Sequence, residues 1–561
     1  MPAGDVASNG HADTLLINGW AYTGDAAGRW AGSLAISGGR ILAVGAERDL
    51  RERVGSRTRV IDAGGGMILP GFQDAHVHPP SAGVGMARCA LDGVNPLDPA
   101  RARDEYAGII ERYARDHPGV PWILGDGWGM DAFPGGNPPK AMLDALVPDR
   151  PVYLESRDGH SAWVNSKALE MAGIGPGTAE PADGRIIFGE DGEPWGTLHE
   201  GACRLVDDLT PRTTEQEWVD GILRAQAYLH SLGITAWQDA IVEDDTAPAY
   251  LALAKQGRLT ARVVGALWWD RRRGAEQVKE LVERRQDYSF GRFRATSVKL
   301  MQDGIPENFT AGMLSPYLDG RGRPSETDGK SFIEPEALKR HVIALDAEGF
   351  QCHFHAIGDR AVRESLDAIE AARSANGWND LRHHVAHIEI VHPDDVPRFR
   401  TVGAVANAQP LWACYDGQME HLVVPFIGEE RASWQYPFAS LRRAGAVLAM
   451  GSDWGVSTPN PLLEMEVAVR RVSPDRRGHE PFYPHERIDL RTALGAFTMG
   501  SAYVNHLDDQ TGSLEPGKLA DLCVVDRDLF AVEDGLLGDA KVTLTLVDGR
   551  PVHADPAAVS W

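Results

Sequence analysis

Cysteine is scarce in this chain. Five residues in 561, Cys89, Cys203, Cys352, Cys414 and Cys523, lie far apart with no Cys-x-x-Cys spacing. An odd set of scattered thiols makes neither a disulfide framework nor a cysteine-built zinc site, and it suits a reducing cytoplasm. Positive charge is also short: 56 Lys and Arg stand against 80 Asp and Glu, a formal net charge of -24. Such a chain repels nucleic-acid phosphates and anionic membrane surfaces. No run approaches the roughly 18 apolar residues of a spanning helix. The start, Met1 to Asn18, has neither the basic head nor the apolar stretch of a secretion signal. Phosphate-binding P-loops and dinucleotide glycine fingerprints are missing too, as are internal repeats. These absences predict a cytoplasmic protein with a small-molecule partner, no nucleic acid and no membrane.

What the chain has is apolar sequence in short pieces. Hydrophobic residues make up 43% of it, enough for a large core. Its length exceeds one ordinary domain, yet a (β/α)8 barrel with insertions takes up most of it. Stretches 14–19, 33–44 and 59–61 read as short strands, with Gly38-Gly39 as a hairpin turn. The far end repeats the texture at 522–526 and 542–547, with Asp548-Gly549 as a second tight turn. Neither end buries much alone, so the two are expected to pack together as one small β-sandwich, from 1–66 and 506–561.

Between them, over 67–505, short apolar strands alternate with helical spacing, the pattern of βα units around a parallel sheet. The strand carrying His76 is followed by 234–239, 262–267, 297–301, 351–355, 384–388, 403–407 and 446–450. Eight strands close a barrel. Stretches 335–349 and 360–375 have helical periodicity. A long interval at about 79–230 holds strand-like pieces of its own at 122–125 and 152–155. An insert of that length must be structured, and at the C-terminal mouth of the barrel it would cover the site.

Candidate chemistry collects at the strand ends, where such barrels carry their sites. His76 and His78 share one face of a strand, their side chains about 7 Å apart, close enough to grip one cation. Lys299, His355, His387 and Asp453 end or follow other strands. Imidazole and carboxylate suit Zn²⁺ and similar divalent ions. A bound ion lowers the pKa of water from about 15.7 to about 7. Each residue has an ordinary alternative. Asp453 could be a helix cap, Lys299 a salt-bridged lysine, any single histidine a packing residue. His353, His383, His384, His392 and Glu389 are read that way. Asp359 is read as a cap for the helix after it, and Asp303 as a turn residue or a support for Lys299. Trp128, Trp163 and Trp454 are candidates to line an apolar pocket.

The motifs Met67-Ile-Leu-Pro-Gly-Phe-Gln-Asp-Ala-His-Val-His78, His355-Ala-Ile-Gly-Asp359, Gly451-Ser-Asp-Trp454 and Gly512-Ser-Leu-Glu-Pro-Gly-Lys-Leu-Ala-Asp521, with His387 between them, resemble the amidohydrolase superfamily. Val152-Tyr-Leu-Glu-Ser-Arg-Asp-Gly-His160 and Trp163-Val-Asn-Ser-Lys-Ala-Leu169 narrow the resemblance to its amidohydrolase-3, YtcJ-like branch, which includes N-substituted formamide deformylases. The resemblance implies that His76, His78, His355 and His387 ligate metal. It implies that Asp453 both touches the metal and shuttles a proton. Lys299 matches the position where two-metal members carry a carboxylated, N6-carbamate lysine, so it decides between one ion and two. His160, inside a matching segment, is a candidate substrate contact, as are Trp128 and Trp454. A homodimer is the assembly the resemblance implies.

The expected activity is therefore hydrolysis of a non-peptide C–N bond, of amide, N-acyl or N-formyl type, by metal-activated water. Deamination, cyclic-amide opening, lactone or ester hydrolysis and decarboxylation on the same scaffold are the nearer alternatives. A non-catalytic regulatory or binding protein on this fold is the farther one, and its sign would be a broken ligand set.

Overall fold

The computed structural model describes residues 11–94, 98–532 and 534–560. Of the N-terminal stretch weighed above, residues 1–10 lie outside them, as does the chain's last residue. The centre is an 8-stranded sheet in sequence order. Its members are β1 (Phe72–Val77), β2 (Ile234–Val242), β3 (Arg262–Trp268), β4 (Phe293–Met301), β5 (Gln351–Ala356), β6 (His384–His387), β7 (Val405–Ala408) and β8 (Val447–Met450). Every adjacent pair is parallel. Strands buried on both faces read as near-continuous apolar runs, and all the strand positions expected from sequence are found. The predicted helices are present as Pro335–Ala347 and Asp359–Asn376.

The ring closes between β8 and β1, just past their ends. Asp453 N–H donates to the His76 carbonyl at 2.7 Å, and His78 N–H to the Trp454 carbonyl at 2.6 Å. Asp74 clamps the seam, accepting from His76 N–H (3.0 Å), Ser452 N–H (3.0 Å) and the Ser452 hydroxyl (2.6 Å). Gly451 is required here, because a Cβ would sit 2.4 Å from the His76 nitrogen.

The apolar stretch 67–77, placed wholly in the barrel segment from sequence, holds two strands. Met67–Pro70 pairs antiparallel with Leu522–Val525, and the chain changes partners at Gly71. Gly71 N–H donates to Asp521, while Phe72 N–H donates to Gly233 and starts the barrel. The terminal strands form the expected sandwich. One sheet holds Ala12–Ile17, Ser33–Ser37, Arg40–Gly45 and Val54–Asp62. The other mixes Trp20–Tyr22, Trp30–Ala31 and Met67–Pro70 with Leu522–Val525, Val542–Val547 and Arg550–Ala554. Leu16, Leu34, Ile36 and Ile61 meet Leu522, Val524 and Leu544 between them. Both hairpin turns have two consecutive positive φ angles, 59° and 76° at Gly38 and Gly39 and 49° and 68° at Asp548 and Gly549. That backbone matches the twist of paired strands.

The interval after β1 builds a sheet of its own. It runs Gly184–Phe188, Pro194–Glu200, Ser161–Val164, Val152–Ser156, Ile123–Trp128 and Cys89–Ala90, and includes both strands anticipated there. The helix Glu215–Ser231 then returns the chain to β2, opened by a capping box between Thr214 and Glu217. Asp359 supports structure differently from expectation. It is the first helical residue, not the cap, and its carboxylate accepts from Leu314 N–H at 2.8 Å. Among the described residues no helix is long and apolar enough to cross a membrane. All five cysteines are free.

Candidate metal centre

Parallel register levels the strand ends. Lys299 lies opposite His353, Met301 opposite His355, and Ala356 opposite His387. The side chains expected to form one centre therefore meet above the same end of the barrel. His76 Nε2 lies 3.2 Å and His78 Nε2 2.9 Å from Asp453 Oδ1. Ligand atoms of His76, His387 and Asp453 all fall within 4.8 Å of one another. His355 joins through its ring, 4.4 Å from that of His387. Lys299 Nζ is 3.3 Å from His76 Nε2.

Backbone strain marks the same place. His387 has φ of 74° and Asp453 of 55°, in the left-handed region that non-glycine residues rarely enter. Such conformations cost on the order of 1–3 kcal/mol each and persist where surroundings over-determine them. Here the Asp453 N–H is held by His76 as above, and the His387 N–H donates to Gln409 Oε1 at 2.7 Å.

Electrostatics follow from burial. Loss of water pushes the His355 and His387 imidazoles well below their ordinary value. Burial, then the Lys299 charge, brings His76 down to about 3. Neutral imidazole is the form that binds metal. For Asp453 burial acts to raise the carboxyl, but its close contacts with His76 and then His78 outweigh it and hold it well below the carboxylate range. Burial brings Lys299 down to about 7, only partly offset by Asp453 and Asp239.

The donors fit a divalent cation. Both ring nitrogens of His387 are buried with no hydrogen-bond partner among the described residues, a costly arrangement unless something else occupies them. Imidazoles and a carboxylate around one point are the donor set of Zn²⁺ and its neighbours.

Surrounding residues orient these donors, and most carried no signal in the sequence. Asp303 takes the Ile357, Gly358 and Gly312 N–H groups (3.0, 2.8 and 2.9 Å) and lies 3.2 Å from His355 Nδ1. It thereby turns His355 Nε2 toward the centre, so Asp303 supports His355 where support for Lys299 was expected. Asp74 was legible only through sharing a strand face with His76. His353, read as an ordinary packing residue, lies 2.8 Å from His76 through its Nε2. Trp412 stacks nearly parallel on His387, with centroids 6.0 Å apart and planes at 23°.

His160 arrives from the insert. Its ring is 5.4 Å from that of His355, and its Nδ1 is 2.9 Å from Glu200 Oε2. Glu200, at φ of 53°, also accepts from the Thr310 hydroxyl at 2.7 Å. Nothing in the sequence pairs residues 160 and 200; two strands of the insert bring them together. The tryptophans differ. Trp454 packs on Tyr228 beside the centre, centroids 5.3 Å apart. Trp128 is fully buried, its Nε1–H donates to Leu154, and its ring meets Phe133 and Trp163. The geometry gives it a packing role inside the insert, so the pocket-lining expectation finds no support at Trp128 or Trp163.

The His160–Glu200 pair predicts a pH window for stability. Burial alone would lower His160, but Glu200 outweighs it and raises the imidazole from 6.5 to about 9. Burial alone would raise Glu200, but His160 and Thr310 lower it from 4.5 to about 2. The raised imidazole stabilises fully below pH 6.5 and loses its contribution as pH climbs through about 9. The depressed carboxyl stabilises fully above pH 4.5 and loses its contribution as pH falls through about 2. Thermal melts of wild type and Glu200→Gln should differ most between pH 4.5 and 6.5 and converge as pH passes 9. A gap that stays constant across this range would remove the ion pair from the account.

Comparison with known proteins finds relatives along nearly the whole chain. A family model of the amidohydrolase-3 type, described as "Amidohydrolase family", matches residues 59–553. Protein LONG AFTER FAR-RED 3 of Arabidopsis thaliana is 32% identical over 98% of this chain and 92% of its own length. The N-substituted formamide deformylase of Arthrobacter pascens is 28% identical over 96% of this chain and 97% of its own. Among solved structures, an uncharacterized metal-dependent hydrolase from Pyrococcus horikoshii superposes with a TM-score of 0.72 at 26% identity. That match covers 93% of this chain and 99% of the other.

Proposed function

The chain belongs to the amidohydrolase family, and on that premise we propose that it hydrolyses a non-peptide C–N bond of amide, N-acyl or N-formyl type in a small molecule. The observation that carries the proposal is the convergence of His76, His387 and Asp453, with both His387 nitrogens buried and unpartnered. Similarity to a formamide deformylase over nearly both full lengths supports the choice of bond.

His76, His78, His355, His387 and Asp453 would hold the ion, with Zn²⁺ the metal that best suits them. When bound, it supplies Lewis acidity, polarising the substrate carbonyl and acidifying water. The protein's own part is proton handling and placement. Asp453 is ionised at neutral pH, and its Oδ1 faces the Nε2 atoms of His76 and His78 at 3.2 and 2.9 Å. Its carboxylate is the group placed to accept a proton from attacking water and return it to the leaving nitrogen as the C–N bond breaks. His160, with Nδ1 fixed by Glu200, presents Nε2 beside His355 as a substrate contact. Trp412 and Trp454 form walls against which an apolar substituent can rest. Lys299, brought down to about 7, has a substantial neutral fraction at physiological pH, the form that reacts with carbon dioxide to give a carbamate. In that N6-carboxylated state it would bridge two ions.

The test is turnover of purified Zn²⁺-loaded protein on N-formyl and N-acyl amines, lactones and aminopurines. Release of amine from the amides at rates well above the other classes is the expected result. Preferential turnover of a lactone or aminopurine would replace the C–N amide reading with another hydrolysis.

A further inference from the structure

We infer that His353 is a positioning residue for the metal centre, fixing which nitrogen of His76 faces the ion. The inference rests on the reading of His76 as a ligand. His76 has two ring nitrogens in different surroundings. Nε2 lies beside Asp453 Oδ1 (3.2 Å) and Lys299 Nζ (3.3 Å), so it is the atom turned toward the centre. Nδ1 points the other way, into the barrel, 2.8 Å from His353 Nε2. A neutral imidazole that ligates through Nε2 must carry its proton on Nδ1, and that buried N–H needs an acceptor. His353 Nε2 stands where that acceptor must be. It can accept only as the tautomer protonated on Nδ1, a buried nitrogen with no hydrogen-bond partner among the described residues, so the choice made at His76 dictates the choice made at His353.

The ring of His353 is held for this task. It is fully buried, and the His384 ring lies against it with centroids 4.0 Å apart. His384 is fixed in turn by Asn407, whose Nδ2 lies 3.1 Å from His384 Nδ1 and donates to the Ala75 carbonyl at 2.9 Å. Asn407 therefore links the supporting histidines back to the residue preceding His76. The register places His353 beside both His384 and Lys299, so the support belongs to the interior wall of the barrel and not to a loop. A neutral histidine also orients the ligand without adding an unpaired carboxylate to this buried layer.

Outer partners of metal-bound histidines typically contribute 10–100-fold in metal affinity. The experiment measures Zn²⁺ affinity by competition with a chromophoric chelator for wild type, His353→Leu and His353→Gln. Circular dichroism of the metal-free proteins reports the fold. The leucine variant should bind Zn²⁺ about 10–100-fold more weakly. The glutamine variant, whose Oε1 can accept the His76 Nδ1–H, should stay close to wild type. Wild-type affinity in a folded leucine variant, or equal losses in both variants, overturns the inference. If the leucine variant fails to fold, nitrogen-15 shifts of labelled histidines in Zn²⁺-loaded wild type decide the matter. Protonation on Nδ1 of both His76 and His353 is expected, and an Nε2-protonated His353 refutes the assignment. The outcomes separate from those of the proposed function. A wild type that binds Zn²⁺ yet leaves every amide intact touches only the substrate reading, whereas a wild type that binds no Zn²⁺ ends both.

Discussion

Asp453→Asn should lower kcat by about 10²–10⁴ while leaving the fold and the bound metal in place, the range that a positioned proton-transfer group contributes. Asparagine is the informative replacement for two reasons. It tolerates the left-handed backbone that residue 453 adopts, φ 55°, better than other non-glycine residues. Its amide oxygen can still face His76 and His78, as Asp453 Oδ1 does at 3.2 and 2.9 Å. What it loses is the second anionic oxygen, and with it the capacity to take a proton and hand it back. The measurement is steady-state kinetics on the best amide from the screen, alongside metal content by elemental analysis. Full metal with kcat near wild type would show that Asp453 only ligates and that another group moves the proton. Loss of metal together with activity would leave the ligand role intact and call for kinetics at saturating Zn²⁺.

Stripping the metal is the second large effect. Dialysis against a strong chelator should reduce turnover to the uncatalysed background, and added Zn²⁺ should restore it. The physical basis is the cluster itself: His387 has no hydrogen-bond partner at either nitrogen among the described residues, and His76, His355 and His387 are all neutral imidazoles packed around one point. Without an ion, that polar surface is buried unpaired. The melting temperature should therefore fall on chelation and recover on reloading, since a ligand bound only by the native state stabilises it by mass action. Elemental analysis of the reloaded protein then counts ions. Two per chain would place Lys299 between them as a carbamate, and Lys299→Met should then retain at most one. One per chain would make Lys299 a buried amine beside His76. Turnover that survives at near-zero metal content would dismiss the hydrolytic mechanism proposed for this centre.

The barrel was legible because its strands are short apolar runs, each buried on both faces. Their spacing survives insertion of a whole extra sheet between the first strand and the second. His76, His78, His355, His387 and Asp453 were legible for a related reason: they end such runs, and in a parallel barrel all strand ends point one way. Reading failed where a residue's role depends on a neighbour distant in the chain. Glu200 finds His160 only through the pairing of Ser161–Val164 with Pro194–Glu200. His353 shares a strand face with His355, yet its partner is His76, 277 positions away. Met67–Pro70 looked continuous with the barrel strand because its residues are equally apolar; its partner in the terminal sheet is chosen by Leu522–Val525.

The sequence alone determined the kind of molecule: alternating strand and helix periods, two β-rich ends, and strand-terminal imidazoles and a carboxylate that suit a divalent ion. Those properties are local, written in side-chain periodicity and in the order of motifs. Only the tertiary structure decided which nitrogens of His76 and His355 face the centre, which carboxylates lie beside them, and that the insert delivers His160 on a Glu200 support. Orientation is set by hydrogen bonds across strands. A linear string carries no information on which of several buried polar groups lies within 3 Å of another until the sheets have closed.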